Sequence, residues 1–169
     1  MERVAVATDH DEIVRIERAA GELFRGGGMP EIADDEPIGA GAFARAADEG
    51  RVMLWEVDGV PVGYLLVEEL DGAAHIEQLS VDPAFGRRGI GTALLDVTEE
   101  WARARRLAAL TLTTFRDVPW NAGFYARRGF RILAPAECGP GLQRRMRTEA
   151  EHGLDRWPRV AMRRDLRRA

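Results

Sequence analysis

A glycine-rich turn between an apolar strand and an amphipathic helix constrains the fold of this chain more than any other stretch. The turn reads Gly86-Arg87-Arg88-Gly89-Ile90-Gly91, and it lies between the strand-like segment 73–81 and the helical pattern 91–106. Glycines let a backbone approach a ligand closely, and the first amides of a helix have no acceptor within that helix. With the helix dipole and the two arginines, these amides predict a binding site for a phosphate or pyrophosphate group.

Two common phosphate loops do not fit the turn. The P-loop requires a lysine that reaches the outer phosphates of a nucleotide, and this sequence contains no lysine. The dinucleotide fingerprint requires a third glycine three residues after Gly91, where the chain has Leu94. The turn therefore predicts a phosphate site of another class.

The turn resembles the central motif of the Gcn5-related N-acetyltransferase (GNAT) family, which reads Gln or Arg, two residues, Gly, one residue, then Gly or Ala. Gly86 stands where the family has Gln or Arg, which removes one side-chain contact but keeps the backbone amide. The segment from Asn121 to Phe130 resembles the second signature of the family, in which Asn is followed four residues later by Tyr, here Tyr125, and then by Gly-Phe. The resemblance implies acetyl-CoA as the co-substrate. Separately, the spacing of the His and Cys residues in this sequence indicates no metal site.

Hydrophobic periodicity and turn residues predict a mixed α/β domain of the α+β class that spans residues 1–169. The dipeptides Asp58-Gly59 and Asp71-Gly72 are typical of tight hairpins, and a right-handed crossover makes strand 108–114 parallel to strand 73–81. The order of elements resembles the GNAT fold, in which helices flank a mostly antiparallel sheet with a splayed pair of parallel strands. The expected strands are 4–7, 51–57, 61–69, 73–81, 108–114, 130–133 and 160–166, and the expected helices are 9–25, 38–49, 91–106, 119–128 and 141–151, with a polar loop at 29–37.

The resemblance also implies which residues contact the cofactor. The backbone of the splayed strand pairs with the pantetheine arm in the resembled family, the glycine turn holds the pyrophosphate, and the Asn of the second signature makes a further contact. The implied cofactor-binding residues are Leu79, Ser80, Val81, Gly86, Arg87, Arg88, Gly89, Ile90, Gly91, Thr92 and Asn121.

Three side chains are candidates for proton transfer. His75 and Glu77 lie two residues apart, and therefore on one face of a strand, at positions where the resemblance implies a Glu or His base that works through water. A histidine with an ordinary pKa near 6.5 is mostly neutral at pH 7, while a glutamate can accept a proton or orient a water, so the choice between them stays open. Tyr125 occupies the position from which, in the resembled family, a phenol protonates the departing thiolate of CoA.

Composition narrows the class of protein. The single cysteine, Cys138, cannot form an intrachain disulfide, and no apolar run matches a membrane span or a signal peptide, so we expect a cytoplasmic protein without a membrane partner. Residues 1–100 carry 22 acids and 8 arginines, whereas residues 101–169 carry 6 acids and 16 arginines. Those arginines are spread over several elements without interleaved aromatic residues, so nucleic acid is not an expected partner.

The family resemblance implies an N-acetyltransferase that transfers an acetyl group from acetyl-CoA to a primary amine by direct attack in a ternary complex. The alternatives are a non-catalytic acyl-CoA-binding or sensing domain on the same fold, and a transferase for another acyl group. The acceptor is expected to be a small-molecule or peptide amine, and the acidic segment Asp34-Asp35-Glu36 favours a cationic or small neutral acceptor. Dimers are common in the resembled family, so a homodimer is compatible with the sequence.

Overall fold

A computed structural model describes residues 1–167 and confirms the mixed α/β class. The elements follow the expected order along the chain. The strands are β1 (Glu2–Val4), β2 (Val52–Val57), β3 (Val60–Leu70), β4 (Ala73–Val81), β5 (Ala109–Phe115), β6 (Arg131–Ile132) and β7 (Arg159–Asp165), and the helices are α1 (His10–Gly26), α2 (Pro30–Ala33), α3 (Ala40–Asp48), α4 (Ile90–Ala104), α5 (Ala122–Ala126) and α6 (Pro140–Glu151).

The structure corrects two of the expected elements. The first strand lies at Glu2–Val4 instead of 4–7, where it pairs antiparallel with Met53–Trp55 of β2. The loop expected at 29–37 contains the short helix α2, which begins with a proline, a residue whose fixed φ suits the first turn of a helix.

The strands form one seven-stranded sheet in the order β1-β2-β3-β4-β5-β7-β6. Both Asp-Gly hairpins are confirmed, because Asp58, Gly59, Asp71 and Gly72 all have left-handed backbone conformations, with φ between 52° and 78°. The expected parallel pair is confirmed as well, since Ala74–Ile76 of β4 pairs parallel with Leu110–Leu112 of β5.

The chain divides into two compact units, of which the first comprises Met1–Val67 and Gln78–Thr98. Its core packs α1 and α3 against β2 and β3. The largest fully buried side chains of this core are Ile13, Ile16, Phe43, Leu54 and Tyr64. The first unit therefore contains the strand end and the helix start that flank the glycine turn.

The second unit comprises Glu68–Glu77 and the chain from Glu99 onward. It contains the parallel pairing of β4 with β5, and β7 pairs antiparallel with both β5 and β6. A small cluster of buried side chains joins α6 to this part of the sheet, namely Leu133, Cys138, Leu142 and Ala161, with Leu70 and Met146 packed against it. None of the helices in residues 1–167 combines the length and the apolar character needed to cross a lipid bilayer.

Candidate active site

The glycine turn lies in the first unit, between a short 3-10 turn at Pro83–Phe85 and the first residue of α4, Ile90. Arg87 and Gly89 have left-handed conformations, with φ of 60° and 77°. A left-handed conformation costs a residue other than glycine about 1–3 kcal/mol, and such strain often marks functional sites. At Arg87 the turn therefore holds a left-handed backbone conformation that a residue other than glycine disfavours.

The amides of this turn are available to a ligand. Within residues 1–167, the amide groups of Arg87, Arg88 and Gly89 donate to no protein acceptor, and the amides of Ile90 and Gly91 open α4. The side chains of Arg87 and Arg88 are exposed, and the Arg88 guanidinium lies 5.1 Å from the centre of the Phe85 ring. Adjacent amides without protein acceptors beside a helix start are the arrangement that anion sites use, and the anion site itself stays a prediction.

The beginning of the turn is fixed by Asp82. One carboxylate oxygen of Asp82 accepts a hydrogen bond from the Ala84 amide at 3.0 Å, and the other accepts from Arg15 on α1 at 2.9 Å. A Cβ atom on Gly86 would lie only 3.1 Å from the carbonyl oxygen of Pro83. This close approach gives a local reason for glycine at the position where the resembled motif has Gln or Arg.

The side chains at the end of β4 are buried or half-buried. Ser80 is buried, and its hydroxyl accepts a hydrogen bond from the Gln78 side chain at 2.8 Å, while Leu79 and Val81 are half-buried. Gly63 of β3 lets this segment pack closely, because a Cβ atom there would lie 3.3 Å from the Ser80 carbonyl oxygen and 3.1 Å from Ile90. The sequence analysis did not identify Gly63, whose role depends on three segments that meet only in the folded chain.

His75 is a buried residue of the second unit, with 1% of its surface exposed. Its Nδ1 atom lies 3.0 Å from the Thr111 hydroxyl, on the neighbouring strand β5. Burial lowers the pKa of His75 to about 4, because the charged ring would lose its hydration, and the nearby Asp71 opposes this effect only in part. His75 is therefore neutral at pH 7, and its ring is separated from bulk water.

Glu77 follows on the same face of β4 and is more accessible than His75. About a quarter of its side chain is exposed, and its Oε1 atom accepts a hydrogen bond from Arg145 of α6 at 3.0 Å. The same Nη2 atom of Arg145 also donates to Glu68 of β3. Two carboxylates of the second unit thus share one guanidinium group.

Tyr125 and Asn121 belong to α5 and its start. The Tyr125 ring packs edge-on against Phe124 and Phe130, with ring centres 5.1 Å and 5.6 Å away. Burial raises the pKa of Tyr125, so the phenol keeps its proton at neutral pH. In the part of the chain that the structure describes, neither the Tyr125 hydroxyl nor the Asn121 side-chain amide has a hydrogen-bond partner, which leaves both groups available.

α6 brings residues to this unit that the sequence analysis missed. The Asp71 carboxylate accepts hydrogen bonds from the amides of Gly141 and Leu142, both at 2.8 Å, and so caps the start of α6. A Cβ atom on Gly141 would lie 2.6 Å from the Leu70 side chain, so a larger residue would force the Leu70 and Asp71 side chains to shift. Arg145 lies 74 positions after Asp71 and 77 positions after Glu68 in sequence, so no local pattern links it to them.

Cys138 and the acidic Asp34 both have partners within the protein. The Cys138 thiol is buried and donates to the Ala134 carbonyl, and burial raises its pKa. Asp34, of the acidic segment, pairs with Arg25, whose guanidinium lowers the pKa of that carboxyl. Across residues 1–167, no three His, Cys, Asp or Glu side chains are grouped so that they could hold a metal ion.

Comparison with known proteins places these features in a family. An N-acetyltransferase of Methanocaldococcus jannaschii, described as uncharacterized (MJ1207), is 34% identical over 90 residues, which are 49% of this chain and 40% of that protein. The S-(2-succino)cysteine N-acetyltransferase of Bacillus subtilis is 33% identical over 86 residues, which are 49% of this chain and 52% of that protein. The chain thus spans about half or less of the length of these relatives.

Solved structures give the same fold. The PaiA N-acetyltransferase of Thermoplasma acidophilum, crystallised with coenzyme A, superposes with a TM-score of 0.70 over 98% of both chains at 12% identity. The sequence itself matches the family described as Acetyltransferase (GNAT) family over residues 13–130, which are 118 of its 169 residues and include β4, the glycine turn and Tyr125. The chain therefore belongs to the GNAT family of acetyltransferases, a class of acyltransferases.

Proposed function

We propose that the protein transfers an acetyl group from acetyl-CoA to a primary amine by direct attack in a ternary complex. The observation that carries this proposal is the glycine turn, whose free amides lie inside the segment that matches the acetyltransferase family. Three backbone donors that have no acceptor within residues 1–167, next to a helix start, suit the pyrophosphate of CoA.

The cofactor contacts follow the family resemblance. The pyrophosphate binds the amides of residues 87–91, while the pantetheine arm pairs with the backbone of Leu79–Val81. The exposed Arg87 and Arg88 add charge-assisted hydrogen bonds to phosphate oxygens, and Asn121 contributes its free amide. The coenzyme A found in the PaiA crystal structure supports this choice of cofactor.

We assign the base to Glu77 instead of His75. An alkylammonium with a pKa near 10.4 must lose a proton before attack, which costs about 4.6 kcal/mol at pH 7. The low pKa and the burial of His75 make it a poor acceptor for that proton. Glu77 is partly exposed on the same strand face, where it can act through a water molecule.

Tyr125 acts at the departing sulfur. Its raised pKa keeps the phenol protonated, and it has no competing hydrogen-bond partner within residues 1–167. A phenol with a raised pKa is a weaker acid than a thiol, whose ordinary pKa is near 8.5, so full transfer to a free thiolate would be uphill. Tyr125 therefore helps while the carbon–sulfur bond breaks, by a hydrogen bond that stabilises the charge growing on sulfur.

The test combines cofactor binding with turnover. Gly89→Asp should abolish CoA binding, because a side chain and a negative charge enter the phosphate site. Gly59→Asp is the matched control, since Gly59 has φ of 78° against 77° for Gly89 and both positions are open, but Gly59 lies in a hairpin. Unchanged CoA affinity in a folded Gly89→Asp protein would refute the placement of the cofactor.

Turnover decides between enzyme and binder. Release of the CoA thiol is followed with acetyl-CoA and larger acyl-CoA thioesters against simple amines, aminoglycosides, polyamines and peptide N-termini. Turnover with acetyl-CoA and at least one amine is the expected result. CoA binding without turnover on any amine would instead identify a non-catalytic acyl-CoA-binding domain, and preference for a larger thioester would change the acyl group assigned.

A further inference from the structure

Arg15 of α1 contacts the two strand segments that lead into the glycine turn. Its Nη1 atom donates to the Asp82 carboxylate at 2.9 Å, and its Nη2 atom donates to the Pro61 carbonyl oxygen near the start of β3 at 2.6 Å. The backbone amide of Asp82 donates to the Val62 carbonyl oxygen at 2.8 Å. All of these groups lie in the first unit, where they fix both the backbone and the carboxylate of Asp82.

Asp82 begins the series of hydrogen bonds that leads to the amides without an acceptor. Its carboxylate accepts from the Ala84 amide at 3.0 Å, and its carbonyl oxygen accepts from the Phe85 amide at 2.9 Å. The Gly86 amide donates back into the same short turn at 3.1 Å. The next amide along the chain, that of Arg87, has no acceptor within residues 1–167. The direction in which the chain enters the glycine turn therefore depends on the carboxylate of Asp82.

The carboxylate of Asp82 is a negative charge close to the site proposed for the pyrophosphate. Arg87 follows Asp82 by five positions, and an extended chain spans at most about 3.6 Å per residue, so their Cα atoms lie within about 18 Å. This distance is shorter than the Debye length of about 30 Å at 0.01 M ionic strength. Within residues 1–167, Arg15 is the only cationic side chain that pairs with Asp82. Without Arg15, the carboxylate would repel an incoming phosphate group.

We infer that Arg15 is a positioning residue for cofactor binding, which holds the carboxylate of Asp82 in place and neutralises its charge beside the phosphate site. The inference rests on the proposed function, because it assumes that the glycine turn binds the pyrophosphate of CoA. Arg15 acts through Asp82 and needs no contact with the cofactor. Its other carboxylate partner, Glu12, lies three residues earlier on α1 and is 43% exposed, so solvent screens that charge more strongly.

Variants of the two partners should change the affinity for CoA in opposite directions. Arg15→Met leaves the charge of Asp82 without a partner, which should weaken CoA binding by about twofold to fivefold, the scale of one exposed charge pair. Asp82→Asn removes the charge but keeps an oxygen for the Ala84 amide, which should strengthen binding by a similar factor. The double variant Arg15→Met/Asp82→Asn restores the charge balance and should bind CoA as the wild type does. If the pair only joined α1 to the strands, either single variant would break it and both would bind CoA more weakly.

The assay is a calorimetric titration of CoA into the full chain at about 0.01 M and about 1 M ionic strength, where the Debye length is about 30 Å and about 3 Å. Dephospho-CoA, which keeps the pyrophosphate but lacks the 3′-phosphate, is titrated in parallel. Arg25→Met and Asp34→Asn are the matched controls for net charge. Arg25 lies about 15 Å further along α1 and is 45% exposed against 43% for Arg15, and it also pairs with a glutamate three residues earlier and with an aspartate.

The expected order of affinity at low ionic strength is Asp82→Asn, then the wild type, Arg15→Lys, the double variant and both controls, then Arg15→Met. The order should be the same for dephospho-CoA and should vanish at about 1 M. Equal affinities in all proteins, weaker binding in both single variants, Arg15→Lys as weak as Arg15→Met, or an order seen only with CoA would overturn the inference.

Two other results separate this inference from the proposed function. Absence of CoA binding in every protein, including the wild type, would refute the placement of the cofactor and the role of Arg15 together. The expected order without turnover on any amine would refute the proposed catalysis, while the role of Arg15 in binding the cofactor would stand.

Discussion

Replacement of His75 by glutamine should remove much of the acid sensitivity of the fold. The buried neutral ring has a pKa of about 4, against about 6.5 in an unfolded chain. Between these two pH values the unfolded chain binds a proton that the folded chain refuses, so acidification favours unfolding. At about 1.36 kcal/mol for each pH unit, this difference corresponds to about 3 kcal/mol.

The stability that the neutral His75 contributes is complete above about pH 6.5 and is lost as the pH falls towards 4. Glutamine does not titrate and is a polar side chain of similar length, so His75→Gln should keep most of the packing while losing the pH effect. The measurement is the free energy of unfolding by urea at about pH 7 and about pH 4 for both proteins. Over this range the wild type should lose about 3 kcal/mol more than the variant.

Acid also protonates carboxylates, but both proteins share that background and the difference between them isolates His75. His152→Gln, at the exposed end of α6, tests whether loss of any histidine has the same effect. An identical loss of stability in the wild type and His75→Gln would refute the reasoning. In that event His75 takes up a proton in the folded protein as readily as in the unfolded chain, and its exclusion as a base would fail with it.

Two further changes test Tyr125 and the attachment of α6. Tyr125→Phe should lower kcat by about 10²-fold to 10³-fold, the usual cost of losing one hydrogen-bond donor to developing charge, with little change in acetyl-CoA affinity. Tyr64→Phe, at the other tyrosine of the chain, should lower stability instead. Turnover of Tyr125→Phe within about twofold of the wild type, with chemistry rate-limiting, would make Tyr125 a packing residue. Asp71→Asn should cost about 1–2 kcal/mol in urea unfolding, because charge-assisted hydrogen bonds to α6 are weakened. Asp58→Asn, with the same φ of 52° but without that contact, should cost little, and equal losses would count against the cap.

Local signals in the sequence predict most of the fold. The Asp-Gly pairs require left-handed backbone, which fixes both hairpins, and the glycine turn marks the start of α4. The buried face of α4 is harder to predict, because the helical pattern suggests Ala93, Leu94, Val97, Trp101 and Ala104. Of these the structure fully buries Leu94, and it also buries Ile90, Leu95, Thr98 and Ala102. Thr98 can be buried because its hydroxyl donates to the Leu94 carbonyl, a contact that a hydropathy pattern does not register.

The candidate site is predicted only where it depends on a short motif. The turn and Tyr125 lie in contiguous signatures, so the sequence alone is enough to propose them as site residues. Strand alternation places His75 and Glu77 on one face but does not reveal that His75 is buried and Glu77 is not. Arg145 contacts Glu77 across 68 positions of sequence, and Asp71 caps α6 across 70 positions, separations that no periodicity reports.

The way α6 is held has a consequence for how the second unit moves. Most of its turns carry polar side chains, and the buried residues of the helix are only Gly141 and Leu142. Contacts through Asp71, Arg145 and Glu149 are electrostatic, so dissolved ions weaken them more than they weaken apolar packing. Higher ionic strength should therefore loosen these contacts of α6 while the apolar contacts of Leu142 and Met146 persist, and faster hydrogen exchange of the α6 amides at high salt would show it.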